Sequence, residues 1–492
     1  MHKNSKTKKL VFLSLLGILA IPINLFSQVL TLENAVELAL RNNEKIKQFE
    51  ERTYQKKYQD MEAWGNFMPS IGIEGSYTHL NENMNIDLSP IRDVMITLQG
   101  KTQAELASMG NVLQGKAPYS QAQKDLYTQA AMSQLNQLIP PFVETFKKQN
   151  YRTATIVGIQ PIFLGGKLMA AKDFASEERQ SSEIELQKTR NEVLQEAVNN
   201  YLSTVLMQNV VKTRKDVLEG INKHKNDAQK LYNEGLIANY HLLRAEVAVA
   251  DAERNLSDDL NKLELAEIAL KNTLGIPEDS QINVSDTLIY SGISDSLNTF
   301  LNLANQNQPI LRLIEMKKEA ANSKYVAERA GFLPTIAAFG KYEMYPEYLS
   351  SLEPRWAVGV QVKFNLFNGM KDYAKLQNAV HIEREVQYVE ADAKRKIGLW
   401  VNKSYRDVVN ARTRYEKLGK TIDLAKESLR LNEKRFISGM GTSLEVIDAQ
   451  LSLERNQIES LNSLYEYYKS LTDLFVATGN PQDILRIWHK EK

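Results

Sequence analysis

The chain has 492 residues, of which 43% are hydrophobic and 25% are charged, a composition typical of ordered proteins with several packed units that excludes a disordered chain. The 61 lysines and arginines nearly balance the 60 aspartates and glutamates, so the net charge does not indicate nucleic acid as a partner. The chain contains no cysteine, which excludes disulfides, thiolate metal sites and thiol catalysis.

The N-terminal segment, residues 1–27, has the layout of a secretory signal peptide. Several lysines precede an apolar run that begins at Leu10, and the run ends shortly before Ser27. A retained anchor helix needs about 20 apolar residues, whereas this run is shorter and contains Pro22 and Asn24. We therefore expect export with cleavage near Ser27, and a protein that is periplasmic, secreted or held in an outer membrane.

The rest of the chain is an internal duplication. Residues 31–39 match residues 296–304 at an offset of 265, and residues 66–71 match residues 331–336 at the same offset. Self-similarity of this kind indicates two copies of one structural unit.

Further along the chain the offset changes to 204, so the first copy carries 61 extra residues. The matched segments are 164–167 with 368–371, 232–235 with 436–439, and 274–277 with 478–481. We assign the first repeat to residues 28–290, the second to residues 291–481, and a C-terminal tail to residues 482–492.

Each repeat contains two short runs in which apolar residues fall on every second position, which is typical of strands with two different faces. The predicted strands lie at about residues 68–80, 153–163, 334–345 and 355–366. In the second strand the alternation predicts that one face is shared by Val157, Ile159, Pro161 and Phe163.

Glycines follow the second strand of each repeat, immediately before a long helical segment. Gly165, Gly166 and Gly369 would permit the change of backbone direction from strand to helix. Beyond these junctions we predict antiparallel helical hairpins at about residues 166–274 and 370–478, because each contains a short turn between two long periodic segments.

The second hairpin carries a heptad seam. Large side chains recur every seventh residue over residues 401–436, and mostly smaller ones recur with the same spacing over residues 404–432. This spacing predicts coiled-coil packing, and the proline-free segment at residues 371–436 would form a helix roughly 100 Å long. After the turn the repeat continues, with interruptions at Glu454 and Thr472.

Four strands are too few for a closed barrel, since about eight is the minimum. In a membrane an open sheet edge would leave backbone groups unpaired, at a cost of several kcal/mol each. If the strands are embedded in lipid, several chains must therefore share one barrel, and three chains would supply twelve strands. Each junction alone would also fit an ordinary soluble α+β protein; the duplication and the export signal favour the membrane interpretation.

The landmarks, in this order, resemble those of the TolC family of outer-membrane efflux proteins. They are Thr-Leu-Glu-Asn-Ala at 31–35, Phe-Met-Pro-Ser-Ile at 67–71, Asn-Leu-Phe-Asn-Gly at 365–369, Arg-Phe-Ile-Ser-Gly at 435–439 and Asp-Ala-Gln at 448–450. The resemblance implies a mostly α chain with a small β part. It also implies a homotrimer in which long antiparallel coiled-coil helices form an α-barrel, while four strands per chain contribute to a 12-stranded transmembrane β-barrel.

The same resemblance implies a function and partners. The trimer would be the outer-membrane exit duct of a tripartite efflux or type I secretion system, extending into the periplasm. It would conduct substrates passively, joined to an inner-membrane transporter through a periplasmic adaptor, the membrane fusion protein. Its surroundings would be outer-membrane lipid, and it would bind no cofactor, metal or nucleic acid.

In this family the two interhelical turns form the periplasmic tip that adaptors contact. The matching adaptor-facing residues here are Gly235, Leu236, Ile237, Arg435, Gly439 and Met440. Glu445 and Asp448 match positions that ring the closed pore with carboxylates, and their spacing places them on one helical face. Three chains would bring six negative charges together, which would raise their pKa values and attract cations. The alternative is a pair of solvated helix carboxylates.

The gate region departs from the best-known family pattern at three positions. His241 replaces an aspartate, Phe436 replaces a tyrosine, and Gly441 replaces an arginine. We therefore predict that closure of the tip relies more on packing of Leu236, Phe436 and Met440 than on polar links. A histidine at 241 would make closure sensitive to pH.

The 61 extra residues lie between the first two strands, at about residues 81–150. In the family's topology this loop faces outward, so we expect an extracellular cap of two or three short helices, one of them at residues 120–138. The cap would narrow the exit or bind an outside partner.

No catalytic motif occurs in the sequence, and the histidines lack the spacing of metal ligands. His79, His224 and His381 are predicted to be surface residues. An enzyme is therefore the least favoured class. The alternative function is an exported coiled-coil adhesin or filament protein without a pore, but such a fibre does not require matched two-faced strands in both repeats.

Overall fold

The structure is a computed structural model of the chain. It describes residues 29–488 except 285, 287, 294 and 351. The predicted signal peptide, residues 1–27, and the last four residues of the tail lie outside the described residues. Among the residues that are described, no helix combines the length and the apolar content needed to cross a membrane.

Most of the described chain is helical. The helices are α1 Leu32–Asn42, α2 Glu44–Gly65, α3 Ser89–Leu113, α4 Gln121–Leu138, α5 Lys167–Asn233, α6 Asn239–Leu274, α7 Leu297–Asn307, α8 Pro309–Arg329, α9 Lys371–Ile437, α10 Ser443–Ala477 and α11 Asp483–Trp488. The strands are β1 Val29–Leu30, β2 Ser70–His79, β3 Met84–Asp87, β4 Val143–Lys147, β5 Asn150–Leu164, β6 Asn283–Val284, β7 Thr335–Glu343 and β8 Trp356–Lys363.

The same elements follow one another twice along the chain. The order α1, α2, β2, β5, α5, α6 recurs as α7, α8, β7, β8, α9, α10. The helices α5 and α9 have 67 residues each. The hydroxyls of Thr31 and Ser296, which are related by the offset of 265, cap α1 and α7 by accepting the N–H of Asn34 and of Thr299. Equivalent sequence signals therefore begin equivalent helices.

The chain divides into two compact units, and each unit draws residues from both repeats. The helical unit comprises the described residues of Met1–Gln55, Arg179–Lys317 and Val386–Lys492. The sheet unit comprises Lys56–Glu178 and Lys318–Glu385.

The heptad seam of α9 is largely buried, although Tyr415, Ile422 and Leu429 are half-buried. Val401 and Val408 are at most 2% exposed, and Ala411 is 5% exposed. The two interruptions of the pattern in α10 are also interior. Thr472 is fully buried and its hydroxyl donates to the carbonyl of Tyr468 at 2.8 Å. The side chains that interrupt the heptad pattern of α10 therefore have their polar groups hydrogen-bonded or paired inside the helix bundle.

The second interruption, Glu454, is part of an ion-pair cluster that joins three helices. Arg214 of α5 donates from Nε to Asp259 of α6 at 2.7 Å. Its Nη1 forms an ion pair with Glu454 of α10. Lys262 adds a contact to Asp259 at 2.8 Å. Asp259 and Glu454 are only 4% and 5% exposed. Burial would raise the pKa of Asp259, but the hydrogen bonds from Lys262 and Arg214 hold it below its ordinary value.

Asp286, which follows α6 near the end of the first repeat, joins the start of α1 to α5 and α11. Its Oδ2 accepts from the hydroxyl of Tyr201 at 2.6 Å, from the indole N–H of Trp488 at 3.2 Å and from the backbone N–H of Leu32 at 3.4 Å. Nearby, β1 and β6 pair in parallel. The end of the first repeat is thus anchored by buried polar contacts.

The sheet unit contains an antiparallel sheet in the order β2-β5-β7-β8, so β2 and β8 are its edges. Directly paired residues point to the same side of a sheet. One side carries the row Ile73, Ile156, Tyr342 and Trp356, and the next row, on the opposite side, contains Glu74, Thr155 and Glu343. The strands are therefore two-faced.

The predicted face of the second strand is wrong. Val157 pairs with Lys341 on the more polar side, whereas Phe163 pairs with Ile336 on the apolar side. The register shifts between Pro161 and Phe163. An extra residue in a bulge moves every later side chain to the opposite face, so the four apolar residues do not share one side.

The insert between β2 and β5 consists of a short two-stranded sheet and a pair of packed helices. The strands β3 and β4 are antiparallel, and the helices α3 and α4 lie between them in the chain. The helix expected at residues 120–138 is α4, which begins with a capping box between Ser120 and Gln123. The prediction missed the β3–β4 pair and the length of α3, which has 25 residues.

Candidate functional site

The candidate site is the pair of turns that join α5 to α6 and α9 to α10. At Gly235 and Gly439 the backbone has the same positive φ of 75°. In each turn the following residue closes the helix end: Leu236 N–H donates to Leu231 at 2.8 Å and Met440 N–H donates to Arg435 at 2.9 Å. This is a glycine-terminated helix end repeated at equivalent positions.

A small apolar cluster lies under the two turns. It is formed by Ala228, Leu242, Ala245, Phe436 and Val446, with Ile237 packed against it. Phe436 is 1% exposed, whereas Leu236 and Met440 are 66% and 71% exposed. Of the three residues expected to pack at closure, Phe436 alone is buried within the chain.

His224 is the polar centre of this region. Its Nε2 lies 2.8 Å from the hydroxyl of Ser443, and its ring is 4.6 Å from that of Phe436. The side chain is 7% exposed, so its prediction as a surface residue is wrong. Burial lowers the pKa of His224 to about 4; Asp227 opposes this shift and His241 adds to it.

The wrong prediction for His224 has a simple cause. The lack of ligand spacing argues against a metal site, but it carries no information about burial. His79 and His381 are exposed, as predicted.

His241 of α6, in the same hairpin as His224, contacts the same serine of the second hairpin. Its Nδ1 accepts the backbone N–H of Ser443 at 3.4 Å, and its ring lies 3.9 Å from the ring of Tyr240. Ser443, which is fully buried, thus joins two histidines at the start of α10.

Glu445 caps α10. The backbone N–H of Thr442 donates to Glu445 Oε2 at 2.7 Å, and the Thr442 hydroxyl accepts the N–H of Glu445 at 3.3 Å. The guanidinium of Arg435 lies 3.6 Å from the carboxylate. The hydrogen bond from Thr442, together with Arg435, holds the pKa of Glu445 below its ordinary value. Asp448, one turn further along α10, is exposed.

Two other groups of predicted site residues are glycines. At the strand-to-helix junctions φ is positive at Gly165, Gly166 and Gly369, and also at Met370, which the sequence did not indicate. In the second turn, a Cβ at Gly441 would lie 3.1 Å from the Cβ of Arg435. This position has little room for the longer residue of the best-known family pattern.

Comparison with known proteins places the chain in a family. The model of the outer membrane efflux protein family matches residues 144–276 and 300–480, which together are more than half of the chain. The chain therefore belongs to the outer membrane efflux protein family, and its assignment to the outer membrane is confirmed.

The chain is similar to two curated proteins over about half of its length. The chain is 26% identical over 247 residues to the solvent efflux pump outer membrane protein SrpC of Pseudomonas putida, covering 48% of the chain and 50% of that protein. It is 22% identical over 249 residues to the alkaline protease secretion protein AprF of Pseudomonas aeruginosa, covering 49% of the chain and 50% of that protein. The chain spans about half the length of the curated relatives it matches.

Solved structures show the same fold over almost the whole chain. The outer membrane protein VceC of Vibrio cholerae has a TM-score of 0.70 at 17% identity, covering 91% of this chain and 96% of that chain. The CmeC outer membrane channel of Campylobacter jejuni has a TM-score of 0.68 at 14% identity, covering 92% of this chain and 88% of that chain. These likenesses confirm the mostly helical fold expected from the sequence.

Proposed function

We propose that the chain is one subunit of a homotrimeric outer-membrane exit duct. The observation that carries the proposal is the four-stranded sheet, whose apolar face is exposed and whose edges are β2 and β8. Trp356, Val358, Val360 and Val362 of the edge strand β8 are all more than 60% exposed. Because such a sheet cannot close by itself in lipid, three copies would pair edge to edge into a 12-stranded barrel.

In this assembly the long helices of α5, α6, α9 and α10 from three chains would continue the conduit into the periplasm. Two relatives are named as a solvent efflux pump outer membrane protein and an alkaline protease secretion protein, and these names support a role in export rather than enzymatic activity. We propose that the conduction is passive and serves an inner-membrane transporter. The cargo of this chain would be chosen by that transporter.

The exposed tip would be the docking surface for a periplasmic adaptor protein. Leu236 and Met440 are well exposed on equivalent turns, and Arg435 and Ile237 flank them. Asp448 on the first turns of α10 would contribute to a carboxylate ring at the pore. Glu445 would contribute less, because it already accepts hydrogen bonds within its own chain.

The assembly can be tested with protein extracted from outer membranes in mild detergent. We expect a trimer by light scattering and single-channel conductance in planar bilayers. A well-folded single subunit without conductance would overturn the proposal and favour the exported coiled-coil protein. An untransformed membrane extract carried through the same purification is the control for contaminating porins.

A further inference from the structure

Helix α3 of the insert is apolar on two opposite faces. The inner face packs against α4: Ile96 and Ala104 are 2% exposed, and a Cβ at Gly100 would lie 2.8 Å from the side chain of Met132. On the other side six large apolar side chains are more than half exposed. They are Ile91, Met95, Leu98, Leu106, Met109 and Leu113, which we call the α3 stripe.

The α3 stripe follows a narrow line along the helix. Its residues are separated by steps of three and four, with Thr102 between Leu98 and Leu106. At 1.5 Å per residue the line is roughly 33 Å long. It contains no charged residue. A helix that is apolar on two faces ordinarily has a neighbour on each, and α4 accounts for one of them.

Specific polar contacts hold α3 against α4. If α4 shifted to cover the stripe, these contacts would break. Arg92 donates from Nε to the carbonyl of Ile139 at 2.7 Å, just beyond α4. Lys124 pairs with Glu105 at 2.7 Å. The exposure of the stripe is therefore a property of a well-defined helical pair.

We propose that the α3 stripe is an interface between subunits, where the α3 helices of neighbouring copies pack together. This inference rests on the proposed function. The insert leaves the sheet at β2 and returns at β5, so edge-to-edge pairing of three sheets gathers three inserts at one end of the barrel. Identical uncharged stripes can then pack on one another without complementary charges.

The chemistry of the stripe favours a second copy over lipid. A helix that lies in a membrane interface has a strongly polar face and often aromatic anchors. The face of α3 opposite the stripe is instead packed on α4, and the stripe has no aromatic residue. Six partly exposed side chains supply less than the about 800 Å² per partner of a typical stable interface. The stripe would thus add to a trimer that the sheets already hold.

Disulfide trapping tests the interface directly, because the native chain has no cysteine. Leu98→Cys and Leu106→Cys would be introduced separately into the full chain and oxidised in outer membranes. The matched control is Gln103→Cys, which is exposed on the same helix, roughly 100° from the centre of the stripe. We expect at least fivefold more covalent dimer at the two stripe positions than at the control.

The outcomes separate this inference from the proposed function. If light scattering shows a trimer but Leu98→Cys and Leu106→Cys cross-link no more than Gln103→Cys, the stripe faces lipid or a foreign protein and the inference is wrong. If every variant and the native chain are single subunits, the proposed function fails, and the inference fails with it.

Discussion

At the scale of single residues, the tip depends on a histidine that is buried in its neutral form. His224 packs against Phe436 and bonds to Ser443, and burial lowers its pKa to about 4. An unfolded histidine has a pKa of about 6.5. Above pH 6.5 neither state binds the proton, whereas between pH 6.5 and 4 the unfolded state binds it and the folded tip does not. The tip therefore loses stability as the pH falls through this window.

We predict that the free energy of local unfolding of the tip is about 2 kcal/mol lower at pH 5 than at pH 7.5. Hydrogen exchange of the first turns of α10, corrected for the intrinsic rate at each pH, measures this difference. In His224→Gln, which keeps a polar side chain but does not titrate, the difference should disappear. His381→Gln, at an exposed position, should behave like the native chain. An unchanged pH response in His224→Gln would assign the effect to another group.

At the scale of elements, the ion-pair cluster around Arg214 fixes α5 against α6 and α10. Both carboxylates are almost fully buried. The cost of desolvating a buried ion pair offsets much of its attraction, but removing one partner leaves a buried charge uncompensated. Arg214 pairs with both carboxylates, so its removal leaves Asp259 with Lys262 alone and takes from Glu454 its ion-pair partner in the cluster.

We predict that Arg214→Met lowers the free energy of unfolding by about 3–5 kcal/mol. Arg254→Met is the matched control, because Arg254 forms an exposed pair with Asp251 on the same α6 helix that carries Asp259. Exposed pairs contribute about 0–1 kcal/mol. Denaturant unfolding followed by helical circular dichroism measures both values. Equal losses in the two variants would show that the cluster does not hold the helices together.

The cluster also shows which parts of the fold could be predicted from the sequence. Helix ends were predictable, because caps such as Thr31 and Ser296 and turn glycines act on neighbouring residues. Tertiary partners were not. Arg214 reads as an ordinary helix arginine, and its contact with Glu454 spans 240 positions. His224 and Ser443 are separated by 219 positions. The turns of the candidate site were thus located from sequence, but their buried polar contacts were not.

At the scale of the whole molecule, the two faces of the sheet determine how copies assemble. Strand β8 carries Val360 on the apolar face and Gln361 on the opposite face, next to each other in sequence. Both side chains are exposed within the chain. In a trimeric barrel only Val360 would face lipid, while Gln361 would face the water-filled interior. In a soluble protein both residues would be exposed to water, so a charged side chain would have a similar effect on stability at either position.

We therefore predict opposite outcomes for Val360→Arg and Gln361→Arg. An arginine facing the middle of the bilayer costs about 2–4 kcal/mol per chain, whereas one facing the lumen costs little. The fraction of protein recovered from outer membranes as a heat-modifiable trimer should fall at least tenfold for Val360→Arg and stay within twofold for Gln361→Arg. Since the backbone register and the size of the new side chain are the same, the contrast reports the environment of each face. Comparable recovery of the two variants would mean that β8 does not lie against lipid, and the shared barrel would lose its main support.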